Sequence, residues 1–245
     1  MANFNMKIAG HTANITSLFE STPQYFRPYL TDEPAEFSVT VTKADIDFEQ
    51  ADLLEEAHRD GFRPRVFTDP FLERAAIQRA FAEFLFDYDI LLFHGSAIAV
   101  DGEGYLFTAH SGTGKSTHTR LWRQVFGERA VMVNDDKPFL QLTEDGVLLH
   151  GSPWSGKHGL DANVCIPLQG LCLLERGAKN QISSMNGEEL LPMLRKQAYC
   201  PLDTAKYSRF LELTARLSRQ AALWKMACNK NPEAAEVAFS AMQRK

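Results

Sequence analysis

A lysine, a neighbouring hydroxyl and two adjacent carboxylates stand close together near the middle of this chain. That set of groups can do phosphoryl chemistry. Lys115 and Ser116 lie in the run Ser111-Gly112-Thr113-Gly114-Lys115-Ser116-Thr117, and Asp135 and Asp136 follow one apolar strand later. Glycines in such a run let consecutive backbone N–H groups point inward, and a helix N-terminus behind them adds partial positive charge. Lys115 then reaches the β- and γ-phosphates of a nucleotide, and the Ser116 hydroxyl takes a place on Mg²⁺. Ser111, Gly112, Thr113, Gly114 and Thr117 complete the phosphate cradle. The full pattern begins with a glycine where this chain has Ala109, so the match is close without being strict.

The elements that must hold these groups read as follows. Tyr105 to Ala109 is an apolar run leading into the loop, and Thr117 to Phe126 is helix-like, which supplies the strand–loop–helix context a phosphate-binding loop needs. Ile90 to Val100 reads as one buried strand carrying His94-Gly95-Ser96. The short turn Asp101-Gly102-Glu103-Gly104 makes it the first half of an antiparallel hairpin. Ordinary nucleotide-binding α/β sheets enter such a loop through a parallel sheet and crossover helices instead. Ala130 to Val133 is the strand that delivers Asn134-Asp135-Asp136. One aspartate there suits a metal, and the other suits accepting a proton from a substrate hydroxyl. Alternation along a strand would send the two to opposite sides, so both act only if the strand has already bent into a loop.

The flanks are read more coarsely. Met6 to about Val66 is expected to be β-rich, with Phe37 to Thr42 alternating as a half-buried strand and the acidic run Asp45 to Glu56 forming a solvated face or helix turn. Thr68-Asp69-Pro70 starts an amphipathic helix that runs to about Asp87. Phe139 to Leu142 and Val147 to His150 form a second hairpin. The Gly- and Pro-rich loop after it carries Lys157 and His158, with Lys157 a candidate for phosphate and Trp154 either packing on a base or pinning the loop. Gly170 to Glu175 returns to strand. The remainder is expected to be helical: Gly187 to Ala198 interrupted by Pro192, a second helix through Leu211 and Leu217 to Met226, and a last one from Pro232. The organisation expected is a β-rich segment with a helix over 1–88, a nucleotide-binding core over 89–180, and a helical part of the same domain over 181–245.

Composition narrows the classes. With 245 residues, 44% hydrophobic and 23% charged, the chain can bury a sizeable core. A net charge of −5 argues against a mainly electrostatic nucleic-acid binder. The N-terminus lacks a basic region followed by an apolar one, and no apolar run approaches a membrane span, so a cytoplasmic protein with no membrane partner is expected. Cys165, Cys172, Cys200 and Cys228 show no C-x-x-C spacing and are expected to be reduced, mostly buried thiols.

Over His94 to Asp136 the chain resembles the HPr serine kinase/phosphorylase group, which shares its nucleotide-binding core with phosphoenolpyruvate carboxykinases. The likeness lies in His94-Gly95 on the strand before the hairpin, the short turn, Ser-Gly-Thr-Gly-Lys-Ser, and a strand into Asp-Asp. It implies an α/β fold with a mixed sheet and a phosphate-binding loop, ATP (or ADP or pyrophosphate) as phosphoryl ligand, and Mg²⁺. It also implies Lys115 on the phosphates, Ser116 and Asp135 on the metal, Asp136 as base, and His94 near the reacting phosphate. Such kinases generally assemble, which makes a homo-oligomer the analogous expectation. The first ninety residues do not resemble the group's separate regulatory domain.

The function expected is a Mg²⁺-dependent kinase that moves a phosphoryl group from ATP to a hydroxyl of a small molecule or of a serine in a peptide or protein. The alternative is an ATP-binding sensor or scaffold without transferase activity. A third reading is an ordinary P-loop nucleoside triphosphatase with a parallel sheet, which topology decides.

Overall fold

The computed structural model describes residues 1–59, 61 and 63–243. The chain divides into two compact units, Met1–Phe84 and Leu85–Lys245.

In the first unit, β1 (Ala2–Ile8) and β2 (His11–Ser17) form an antiparallel hairpin with Ile8 opposite His11. A short helix, α1 (Thr22–Tyr25), leads to β3 (Phe37–Thr40), which joins β2 in parallel. Met6, Ile8, Ala13 and Ile15 are fully buried. Their spacing within each strand is two, which places them on one face of the sheet. The acidic run is not a mere turn but most of α2 (Lys43–Arg59), a helix of 17 residues, so this unit is mixed rather than β-rich. The capping signal at residues 68–70 marks the start of α3 (Asp69–Phe86), whose last two residues lie in the second unit. Phe37 stacks on Phe84 at 3.8 Å between ring centroids. Glu73 of α3 is completely buried, and its carboxylate accepts hydrogen bonds from the Leu18 and Phe19 amides and the Thr22 hydroxyl. A carboxylate can be buried there because its lone pairs are occupied.

The second unit is a mixed sheet covered on both faces. Its elements in order are β4 (Ile90–Leu92), β5 (Ser96–Val100), β6 (Glu103–Thr108), α4 (Lys115–Phe126), β7 (Ala130–Asn134), β8 (Phe139–Leu142), β9 (Val147–His150) and β10 (Cys165–Arg176). Then follow β11 (Gln181–Ser184), α5 (Gly187–Gln197), α6 (Tyr207–Gln220), β12 (Leu223–Cys228) and α7 (Glu233–Met242). The strand order is β4-β8-β9-β10-β6-β5-β7, with β12 also beside β10 and β11 beside β12. The long strand β10 is the junction: Cys165 to Pro167 pair antiparallel with β9, and the residues beyond pair in parallel with β6 and then β12.

Alternation along the central strands explains the two cores. Leu106, Ala97 and Ala99 join the cluster with Leu190, Leu194, Leu213 and Leu217 of α5 and α6. Tyr105, Phe107, Ile98 and Val100 join the opposite cluster with Leu121 and Trp122 of α4 and Ala234, Ala235 and Ala238 of α7. Burying each large side chain contributes roughly 1.5–3 kcal/mol, so a strand apolar on both faces belongs at the sheet centre. β6 is apolar on both faces and sits there.

Three expectations change. Residues 90–100 do not form one strand: β4 pairs with β8, β5 pairs with β6 and β7, and Phe93-His94-Gly95 is the break between them. The C-terminal part is not wholly helical, since α6 stops at Gln220 and residues 223–228 form β12, paired with β10 and β11. Strand pairing beside an apolar sheet edge outweighs helix propensity in Leu-Trp-Lys-Met-Ala-Cys. Of the four cysteines, all free, only Cys172 is buried, while Cys165 is exposed. Among the described residues no helix is long and apolar enough to cross a membrane.

Candidate active site

The hairpin β5–β6 is antiparallel, with Ser96 opposite Phe107, and β6 runs directly into the glycine loop. Ala109 is fully buried in the core at the loop's base. Gly112 and Gly114 have φ of +74° and +124°, a region that L side chains rarely adopt. Gly114 is the N-cap of α4 and supplies no side-chain cap, so amides of the first helical turn are left without a capping side chain. The Gly112 carbonyl accepts a hydrogen bond from Arg176 Nη2 at 2.7 Å, which ties the loop to the end of β10.

At the far end of β7 the chain turns sharply, and Asn134 is the cause. Its buried side chain accepts from the Asp136 amide at 2.7 Å and the Lys137 amide at 2.6 Å, and its Nδ2 donates to the Ser152 carbonyl at 2.7 Å. This Asx-type bend ends the strand alternation at the two aspartates. Asp135 is buried, and its Oδ1 accepts from Ser96 Oγ at 2.6 Å. Ser96 Oγ in turn lies 2.8 Å from Thr119 Oγ1 on α4. The helix, the hairpin and the bend are thereby joined through a short chain of hydroxyls.

Asp136 pairs instead with His94, whose Nε2 lies 3.3 Å from Oδ1. His94 is held by its own amide donating to Gln197 O at 2.8 Å and by Thr108 Oγ1 donating to its carbonyl at 3.2 Å. Burial pushes the His94 imidazole below its ordinary value against the pull of Asp136, and Lys137 and Lys115 add to the lowering. Burial alone would raise the Asp136 carboxyl, but the His94 hydrogen bond and the charges of Lys137, His94 and Lys115 hold it below the usual range. Burial also lowers Lys115, with Asp136 and Asp135 opposing. Around neutral pH the pair is therefore a neutral imidazole 3.3 Å from an ionised carboxylate, within electrostatic reach of Lys115.

Lys115, Ser116, Thr117, Asp135 and Lys157 share the wall of one cavity of about 680 Å³, together with Gly112 and Gly114 of the loop. Ser111, Thr113, His94 and Asp136 do not line it. Thr113 lines a second cavity of about 300 Å³ that also involves Arg176, Asn229 and Lys230. Trp154 is buried with its ring edge-on to Phe139 at 6.4 Å, so it pins its loop rather than offering a face to a base. Lys157 and His158 stand exposed in the turn that follows.

Sequence reasoning did not single out Ser96, Thr119, Asn134, Arg120, Arg123 or Arg176. Asn134 carried a usable signal, because Asn before Asp-Asp at a strand end favours an Asx turn. The others are ordinary surface or strand residues in one dimension and acquire meaning only by proximity.

No family model matches the chain, and no curated protein is detectably similar to it. Among solved structures, the Hpr(Ser) kinase/phosphatase from Coxiella burnetii is 9% identical with a TM-score of 0.37, over 61% of this chain and 95% of that one. A superposition that loose transfers neither fold nor chemistry, so the chemistry of this site rests on its own geometry.

Proposed function

We propose that the second unit is a Mg²⁺-dependent kinase that transfers the γ-phosphoryl group of ATP to a hydroxyl acceptor. The observation that carries this reading is the convergence of Lys115, Ser116 and Asp135 on one cavity, next to a hydrogen-bonded His94–Asp136 pair. The loop suits a polyphosphate, because its glycines adopt positive φ and the helix behind it lacks a side-chain cap. Among the described residues no three His, Cys, Asp or Glu side chains cluster to hold a metal by themselves. That fits Mg²⁺, which is commonly bound by one or two protein oxygens plus phosphate oxygens and water. Ser116 and Asp135 are the residues that would hold it, and when bound it would neutralise charge on the phosphates.

In this reading Lys115 and the loop amides orient the phosphates, and catalysis is mainly positioning and charge neutralisation. The acceptor oxygen forms a bond to the γ-phosphorus as the bond to the ADP oxygen breaks. Asp136 takes the acceptor's hydroxyl proton, and His94 holds that carboxylate in orientation. Calorimetric titration with ATP and transfer assays with γ-labelled ATP across a panel of hydroxyl acceptors test this. Lys115→Ala should abolish ATP binding, whereas Asp136→Asn should leave binding in place and cut transfer by about 10²- to 10⁴-fold. Unchanged binding and transfer in both variants would refute the proposal. Tight binding with no product from any acceptor would favour a nucleotide sensor.

A further inference from the structure

Beyond the loop, the large cavity carries charge that phosphate binding does not account for. Arg120 and Arg123 of α4 line it alongside Lys115 and Lys157, and among the described residues the only carboxylate on its wall is Asp135. The chain as a whole has 31 acidic against 26 basic residues, so this local excess of cations runs against the composition. Both arginines are exposed and pair with no carboxylate among the described residues. At about 1.5 Å per residue they stand roughly 7.5 and 12 Å along the helix axis from Lys115. The loop and Lys115 already serve the phosphates at the helix N-terminus. A pair of guanidiniums one and two turns further on serves a different anion.

We infer that the acceptor carries a carboxylate beside its hydroxyl and that Arg120 and Arg123 bind it, which makes these two residues the determinants of acceptor specificity. The inference rests on the kinase reading above. A carboxylate fits because the planar guanidinium fork engages it with two parallel hydrogen bonds. The carboxylate can come from a small hydroxy acid or from acidic side chains flanking a serine in a peptide.

The test uses the full chain saturated with Mg²⁺ and a non-hydrolysable ATP analogue. One arm titrates glycerate against glyceramide, and the other titrates acetyl-Glu-Ser-Glu-amide against acetyl-Gln-Ser-Gln-amide. Whichever arm shows the preference names the source of the carboxylate. The expected result is at least tenfold tighter binding of the carboxylate member in one arm. The double variant R120Q/R123Q should abolish that preference while nucleotide affinity stays within twofold. Equal binding of acid and amide in both arms overturns the inference, as does a double variant that loses the nucleotide instead. Failure of the nucleotide analogue to bind wild type, by contrast, removes the kinase reading itself and this inference with it.

Discussion

At the scale of single residues, the proposed kinase reading makes the His94–Asp136 pair the group that sets how transfer responds to pH. His94 sits below its ordinary value of 6.5, and Asp136 sits below its ordinary 3.8. The imidazole therefore takes up its proton first as the solution is acidified, while the carboxylate remains ionised. A protonated His94 holds Asp136 as an ion pair and makes it a weaker base. Phosphoryl transfer should accordingly fall on an acid limb whose midpoint lies below 6.5, and His94→Gln, which keeps an N–H donor but cannot titrate, should remove that limb. Rate profiles for kcat/KM between pH 4.5 and pH 8 read this directly. An acid limb unchanged in the Gln variant would take His94 out of the account.

At the scale of elements, the bend after β7 takes Asp135 and Asp136 out of strand alternation. Asn134 satisfies two amides and a carbonyl in a buried setting. Removing its side chain leaves those groups without partners, at a cost of about 1–3 kcal/mol for each one that stays buried. Asn134→Ala should lower stability by about 2–4 kcal/mol, measured by denaturant midpoint at constant m. If the kinase reading holds, it should also cut phosphoryl transfer more than ATP binding, because the amides that Asn134 holds are those of Asp136 and Lys137 while the glycine loop is untouched. A variant as stable as wild type would show that backbone pairing alone sets the bend.

At the scale of the whole molecule, buried imidazole sets the response of stability to acid. His118 of α4 is buried, and its Nε2 accepts from Trp122 Nε1 at 3.1 Å, so the proton resides on Nδ1, which has no partner among the described residues. Burial pushes its pKa from 6.5 to about 4. The unfolded chain binds the proton below pH 6.5 and the folded chain only near pH 4, so stability falls between those values and is unaffected above them. At about 1.4 kcal/mol per pH unit, the loss approaches roughly 3 kcal/mol. The lowered His94 acts in the same sense. The depressed Asp136 contributes stability above 3.8 that is lost only as pH falls through its still lower folded value, outside this window. Denaturation of His118→Gln at pH 7 and pH 4.5 should show a flatter pH dependence than wild type. A parallel pair of curves would mean that other groups carry the acid sensitivity.

Local chemistry was enough to determine the glycine loop, the hairpin into it, the helix after it and the strand leading to Asp135-Asp136. Each follows from residues adjacent in the chain: glycines that accept positive φ, a short turn, apolar runs of fixed period. The break at residues 93–95, the strand at 223–228, the hydroxyl chain from Thr119 through Ser96 to Asp135, and the grouping of Arg120 and Arg123 with Lys157 were decided by tertiary structure alone. The reason is physical. A short apolar run is strand or helix according to the edge it meets, and β10 offers that edge to residues 223–228 from some fifty positions away. Likewise, a serine or an arginine has no assigned partner until packing of the sheet and α4 brings one within hydrogen-bonding distance.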